Sequence, residues 1–152
     1  MKTFHFLIAT FFGIGKIPKA PGTCASLAAI PCFYFLLDKP LFHGAALIVV
    51  YFLGVYTSGK VEKDLGEKDP SNVVIDEVLG MGMAMLFLPR EWPFVLTALI
   101  LFRLFDIWKP YPIHRIEKLP GGWGVMTDDL VAGFYAFCFL FVGNWFIINV
   151  VR

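Results

Sequence analysis

Five apolar runs, 23–37, 41–57, 73–88, 92–108 and 130–151, occupy most of the chain and leave it few ways to fold. Each reads as a helix. A helix that crosses a bilayer needs about 20 apolar residues at ~1.5 Å each. Only 130–151 clearly reaches that length; the other four hold roughly 15–17 residues, at or below the lower limit for a span. Such helices are expected to tilt little, to thin the bilayer or to lie partly in its interface. Pro31 inside the first run predicts a kink that neighbouring helices can tolerate.

Composition agrees with the runs. The chain is 58% hydrophobic and 16% charged, against about 25% charged residues in soluble domains. Its mean hydropathy is +0.71. The fold expected is all-α: one domain over 1–152, a compact, membrane-embedded bundle of about five short apolar helices. A bundle that only half enters the membrane is the competing architecture. A net charge of +1 argues against nucleic acid as a partner. Cys24, Cys32 and Cys138 lie in apolar runs without a CxxC pair, so they read as reduced core thiols. Residues 4–12 read as a short interfacial or capping helix, because no small-residue cleavage site follows them.

Orientation follows from the basic residues. With the N-terminus in the cytoplasm and the five runs alternating, ten of the thirteen Lys and Arg residues fall inside. Lys39, Arg90 and Arg152 fall outside. The positive-inside rule accepts this arrangement. A polar loop is expected over 58–72. The same alternation brings Asp76, Glu77, Asp106, Asp128 and Asp129 to the cytoplasmic side from three helix ends.

Carboxylates gathered in a small space repel one another unless some are protonated or a cation holds them. Oxygen donors with no His or Cys at ligand spacing favour magnesium. Basic groups beside such a site suit an anionic substrate, phosphate best of all. Arg103, Asp106 and Lys109, spaced i, i+3 and i+6, share one helical face. A surface ion-pair stripe is the plainer account of that trio. Asp76–Glu77 and Asp128–Asp129 are each expected to open a helix, where one acid would be favourable through the helix dipole alone. The segment 15–23, GKIPKAPGT, with Thr23 and Ser26 beyond its prolines, is expected to offer N–H groups and hydroxyls to a phosphate at a helix start. Ser26 has a plainer role as a cap. His5, His43 and His114 stand apart from any Ser–His–Asp arrangement, and only His114 is near enough in sequence to face the acids. Without a covalent nucleophile the economical chemistry is a metal-activated water.

Four segments resemble the phosphatidylglycerophosphatase A family, over about residues 13–133. They are Pro21-Gly22-Thr23 with Ser26-Leu27; Asp69-Pro70 followed by Asp76-Glu77 and Gly80; Phe102 to Ile113, FRxFDxxKPxPI; and Gly121 to Gly133, GGxGxMxDDxxAG. Ala25 departs from a usual glycine. The resemblance implies a magnesium-dependent lipid phosphatase of the inner (cytoplasmic) membrane. It is expected to be multi-pass, with its site facing the cytoplasm, and to convert phosphatidylglycerophosphate to phosphatidylglycerol. It carries the family's acidic motifs onto Asp76, Glu77, Asp106, Asp128 and Asp129. Metal ligands are expected among Glu77, Asp106, Asp128 and Asp129, and catalytic acids among Asp76, Glu77, Asp106 and Asp129. Arg103, Lys109, Thr23 and Ser26 are expected to bind phosphate. The rival readings are a cation transporter with acids near mid-helix and a non-catalytic membrane subunit whose acids merely cap helices. The oligomeric state stays open.

Overall fold

A computed structural model describes residues 2–146, 148 and 149. The described residues form seven α-helices and one 3-10 turn, with no strand. The helices are α1 Lys2–Ala9, α2 Pro21–Tyr34, α3 Pro40–Leu65, α4 Ile75–Ala84, α5 Trp92–Trp108, α6 Ile113–Ile116 and α7 Gly122–Phe146; the 3-10 turn is Ile14–Lys16.

Local chemistry sets most of the boundaries. Proline stands in the first turn of α2, α3 and α5. There its missing N–H costs nothing and its φ suits a helix. Gly66 closes α3 in the left-handed conformation and donates its N–H to the Glu62 carbonyl at 2.8 Å. Lys109 closes α5 in the same conformation at φ 46. Helix α2 continues through the exposed Pro31 to Tyr34.

The ten-residue α4 is the centre of the bundle and packs against α2, α3, α5 and α7. Eight of its residues are buried, from Ile75 to Ala84. A helix enclosed on all sides needs no polar face, which explains the apolar run from Val78 to Ala84 after its two acids. Its glycines set how near the neighbours come. A Cβ at Gly80 would overlap the Phe102 ring, and one at Gly133 would overlap the Gly80 carbonyl. Helices α4 and α7 therefore cross backbone to backbone at Gly80 and Gly133. Near the far end of α4, His43 Nε2 lies 2.8 Å from the Gly82 carbonyl oxygen, with its ring stacked on Phe33.

The expected bundle of about five short helices is corrected at several places: α2 ends at Tyr34 rather than 37, α4 ends at Ala84 rather than 88, the short α6 is added, and three further changes bear on the site. Helix α3 runs through 58–65, where a loop was expected, because Ser58, Val61 and Glu62 continue its buried face. Helix α7 starts at Gly122 rather than at 130. Gly121 turns the chain at φ 60, and Gly122 lets the first turn lie on Val55 and Gly59 of α3. Asp128 and Asp129 accordingly sit in the second turn of α7 and do not open it. Finally, α1 ends at Ala9, and Phe11 and Phe12 turn the chain at positive φ instead of extending the helix to 12. The α5 bounds are those expected. Two helices, α3 and α7, have the length and hydropathy of a membrane span. Residues 147 and 150–152, where the fifth run and Arg152 were expected to reach the far side, lie outside the described residues.

A candidate acidic active site

One end of the bundle gathers the N-termini of α2, α4 and α7 and the C-terminus of α5. A cavity of about 350 Å³ opens there. Its walls include Gly22 of α2, Asp69 and Ser71 of the α3–α4 loop, Asp76 and Glu77 of α4, Arg103 and Asp106 of α5, Lys109, and Asp128 and Asp129 of α7. All five acids and both bases singled out in the sequence therefore share one cavity.

Within it the acids divide into two kinds. Asp76, Glu77 and Asp129 each present an oxygen such that the three lie within 4.8 Å of one another. Asp76 is 8% exposed and Asp129 4%. Asp76 Oδ1, Glu77 Oε2 and Asp129 Oδ2 are buried without a hydrogen-bond partner. A buried carboxylate oxygen left unpaired is costly, and three side by side add mutual repulsion. A hard divalent cation relieves both costs, and oxygen is the donor that such a cation prefers. The trio fits a metal site on this count.

Asp106 and Asp128 have cationic partners instead. Asp106 Oδ2 lies 2.7 Å from Arg103 Nη1, one turn away on α5, and Glu77 Oε1 lies 3.9 Å from the same nitrogen. The contact with Asp106 is off the hydrogen-bonding direction, and Nη1 has no aligned acceptor. Lys109 Nζ donates to Asp128 Oδ2 at 2.9 Å and to Glu117 Oε2 at 3.0 Å. Burial alone would lower the Lys109 pKa, but the hydrogen bonds and charges of Asp128 and Glu117 outweigh it and raise the pKa above the usual lysine value. An ammonium has three N–H donors, so Lys109 keeps one for a ligand. Asp128 Oδ1 also accepts the Asp129 N–H at 2.9 Å.

The helix starts contribute differently from expectation. A Cβ at Gly22 would overlap Glu77 Oε1 and would stand 3.3 Å from Arg103 Nη1. A side chain at 22 would displace the Glu77 carboxylate from this position, so glycine lets the first turn of α2 lie directly on the two groups. Thr23 and Ser26 are not in the cavity wall. The buried Ser26 hydroxyl donates to the Gly22 carbonyl at 2.9 Å, within its own helix. His114, on α6, does not line the cavity.

Asp69, Ser71 and Glu117 belong here although the sequence reading left them in loops. Asp69 is held at φ 49, with its N–H donating to the buried Glu62 at 2.9 Å. Its carboxyl is pushed above the ordinary aspartate range by burial in the cavity wall. Lys109 opposes the shift, and Glu117, Glu62 and Asp106 add to it. Six non-glycine residues among those described have positive φ, and Ala20, Asp69 and Lys109 all line this cavity. Each costs about 1–3 kcal/mol, and such strain gathers at functional sites. The Asp-Pro dipeptide seven residues before Asp76 was the available signal for Asp69.

Comparison with known proteins gives this geometry a context. The family model for phosphatidylglycerophosphatase A matches residues 7–144. A Bacteroides thetaiotaomicron protein, provisionally named a phosphatidylinositol-3-phosphatase, is 43% identical over 93% of this chain and 94% of its own. The phosphatidylglycerophosphatase A of Escherichia coli K12 is 38% identical over 84% of this chain and 76% of its own. That of Haemophilus influenzae is 37% identical over 89% and 85%. No solved structure matches the chain.

Proposed function

The chain belongs to the phosphatidylglycerophosphatase A family and is a phosphatase; on that premise we propose that it removes the terminal phosphate of phosphatidylglycerophosphate, with magnesium, at the cytoplasmic face of the inner membrane. The observation that carries the reading is the pairing, in one cavity, of three carboxylates, each with one buried oxygen left without a hydrogen-bond partner, with two cations.

Asp76, Glu77 and Asp129 are the residues that would hold magnesium. Bound there, the ion would supply Lewis-acid polarisation of a phosphoryl oxygen and a more acidic water. The chain's own groups do the rest. Arg103 and the free donor of Lys109 bind the non-bridging oxygens and stabilise the charge that develops on the transferring group. Asp106 and Asp128 orient these two cations. Asp106, whose carboxylate lines the same cavity, takes the proton of the attacking water. Asp69, with its raised proton affinity, returns a proton to the leaving glycerol oxygen. Thr23 and Ser26 have no direct role; the first turn of α2 faces the phosphate with its backbone.

Several observations support a multi-pass, single-domain membrane protein. Ile48, Val49 and Phe52 on α3 and Leu96, Ile100 and Leu104 on α5 are large apolar residues left exposed. Soluble proteins seldom expose patches of this extent. The four tryptophans, all exposed, stand in two pairs: Trp108 and Trp123 at the cavity end, Trp92 and Trp145 at the other. At 1.5 Å per residue the pairs are about 24 Å apart along α5 and about 33 Å along α7, close to a hydrocarbon core of about 30 Å. Tryptophan favours both interfaces. The ion pair of Arg90 with Asp38, 2.9 Å, joins the loops at the end remote from the acids.

The 43% relative favours a second reading, a phosphoinositide as substrate. Phosphate release by the purified protein from phosphatidylglycerophosphate and from phosphatidylinositol 3-phosphate, with magnesium or with EDTA, tests both. Magnesium-dependent release from the first at a rate at least tenfold above the second is expected. Preference for the second would transfer the reading to phosphoinositides. Full activity in EDTA would remove the metal.

A further inference from the structure

A second cavity, of about 610 Å³, lies along the seam between α5 and α7 and is lined by Phe105, Tyr135, Cys138, Phe139, Val142 and Phe146, together with Gly143. Its register ties it to the acidic site. On α7, Asp128, Tyr135, Phe139, Val142 and Phe146 are spaced by seven, four, three and four, which puts them on one helical face. On α5, the Phe105 carbonyl accepts the N–H of Lys109, the residue that closes the helix, at 2.8 Å. The Lys109–Asp128 ion pair, 2.9 Å, thus stands on the line of the seam, and the almost wholly apolar groove opens at Tyr135, about 10 Å further along α7. Its upper end is braced. The Tyr135 hydroxyl donates to the Tyr111 carbonyl at 3.0 Å, and the Tyr135 ring meets Phe105 edge to face.

The geometry points to this groove as the binding site for one acyl chain of the glycerophospholipid whose phosphate monoester enters the acidic cavity. The inference rests on the lipid-phosphatase reading above. The occupant follows from what meets at the two ends. A ligand with its anionic group on Lys109 and Arg103 and a hydrocarbon chain attached can lay that chain along the α7 face that carries Asp128, and this groove is the apolar cavity on that face. A water-soluble phosphomonoester has nothing to place there.

Gly143 provides the test. A Cβ added to it meets no described heavy atom within 4 Å, and its φ is not positive. It lies fifteen residues beyond Asp128, so about 22 Å along the axis. A bulky side chain at 143 leans back toward the N-terminal turn and so fills the groove near Phe139, where a long chain would run and a short one ends. Gly44, on α3, also has nothing within 4 Å of an added Cβ and lies outside the groove. It receives the same bulk as a control.

The experiment compares kcat/KM for dioleoyl and dioctanoyl phosphatidylglycerophosphate in mixed micelles. It uses wild type, Gly143→Ala, Gly143→Leu, Gly143→Phe and Gly44→Phe. The long-to-short ratio is taken within each preparation, so the fraction of folded enzyme cancels. The ratio is expected to fall with bulk at 143, at least fivefold for Gly143→Phe, and to keep its wild-type value in Gly44→Phe. An unchanged ratio across the series overturns the inference. So does an equal fall in Gly44→Phe, which would mark a general effect of added bulk on the protein–micelle contact. A change of oligomeric size at constant ratio overturns it too, in favour of a second copy of the chain on this face. Wild-type protein that hydrolyses neither lipid would instead refute the phosphatidylglycerophosphate reading itself.

Discussion

Arg103 and Asp106 decide whether the cations of the cavity act on substrate or only on the protein. Arg103 Nη1 stands 2.7 Å from Asp106 and 3.9 Å from Glu77, and both members of the i, i+3 pair are partly exposed. With side chains only 21% and 15% exposed the pair is largely buried, so removing one partner leaves a buried charge unpaired and costs stability, about 3–5 kcal/mol at the fully buried limit. If pairing were the whole role, Arg103→Ala and Asp106→Asn would each lower the melting temperature and leave kcat per folded molecule near wild type. The double variant would recover much of either loss, because neither partner would remain unpaired. If Arg103 binds the phosphoryl oxygens, its removal takes away a charged contact made in the transition state. That costs about 3–4 kcal/mol, or roughly a hundred- to a thousandfold in kcat. Asp106→Asn would then misorient the guanidinium and remove the proton acceptor. The expected result is two severe single losses and a double variant at least as inactive as the worse single. Arg103→Lys is expected to fall between, since a point charge replaces a planar fork. The assay is phosphate release from the lipid in detergent, with thermal unfolding of each variant measured alongside. Recovery of activity in the double variant would refute the catalytic assignment and leave both residues with a structural role.

The other predictions are independent of that cycle. Glu77→Gln and Asp129→Asn are each expected to lose at least a hundredfold in activity and to lose the rise in melting temperature that magnesium gives wild type. A variant that keeps both is not a metal ligand. Gly133→Val puts a branched side chain where the Gly80 carbonyl lies and is expected to destabilise the fold by about 1–3 kcal/mol. A denaturation midpoint equal to wild type would contradict the backbone crossing of α4 and α7. Lys39 is expected to be dispensable for activity, and a cysteine there should label only from the face opposite one placed at Lys118. Labelling of both from the same side would break the alternating topology.

The linear sequence determined more of this protein than its sparse polar content suggests. Run length and proline placement delimit α5 at 92–108, because a proline in the first turn and the charged turn at Lys109 are local events. The alternation of apolar runs brings five acids to one end, since a helix keeps its direction once begun. Other features depend on contacts between helices. The start of α7 depends on Gly122 meeting Val55 and Gly59, sixty-odd residues earlier in the chain, so a pair of glycines that reads as a turn becomes the first turn of a helix. Ser26 reads as a phosphate donor until its own helix takes its hydroxyl. Asp128 and Asp129 are indistinguishable as letters. Adjacent residues on a helix point about 100° apart. Here one faces the ammonium of Lys109, and the other faces the carboxylates of α4 across the Gly80–Gly133 crossing. Which of the two is free for a metal depends on what stands opposite, and only the packing of α4, α5 and α7 decides that.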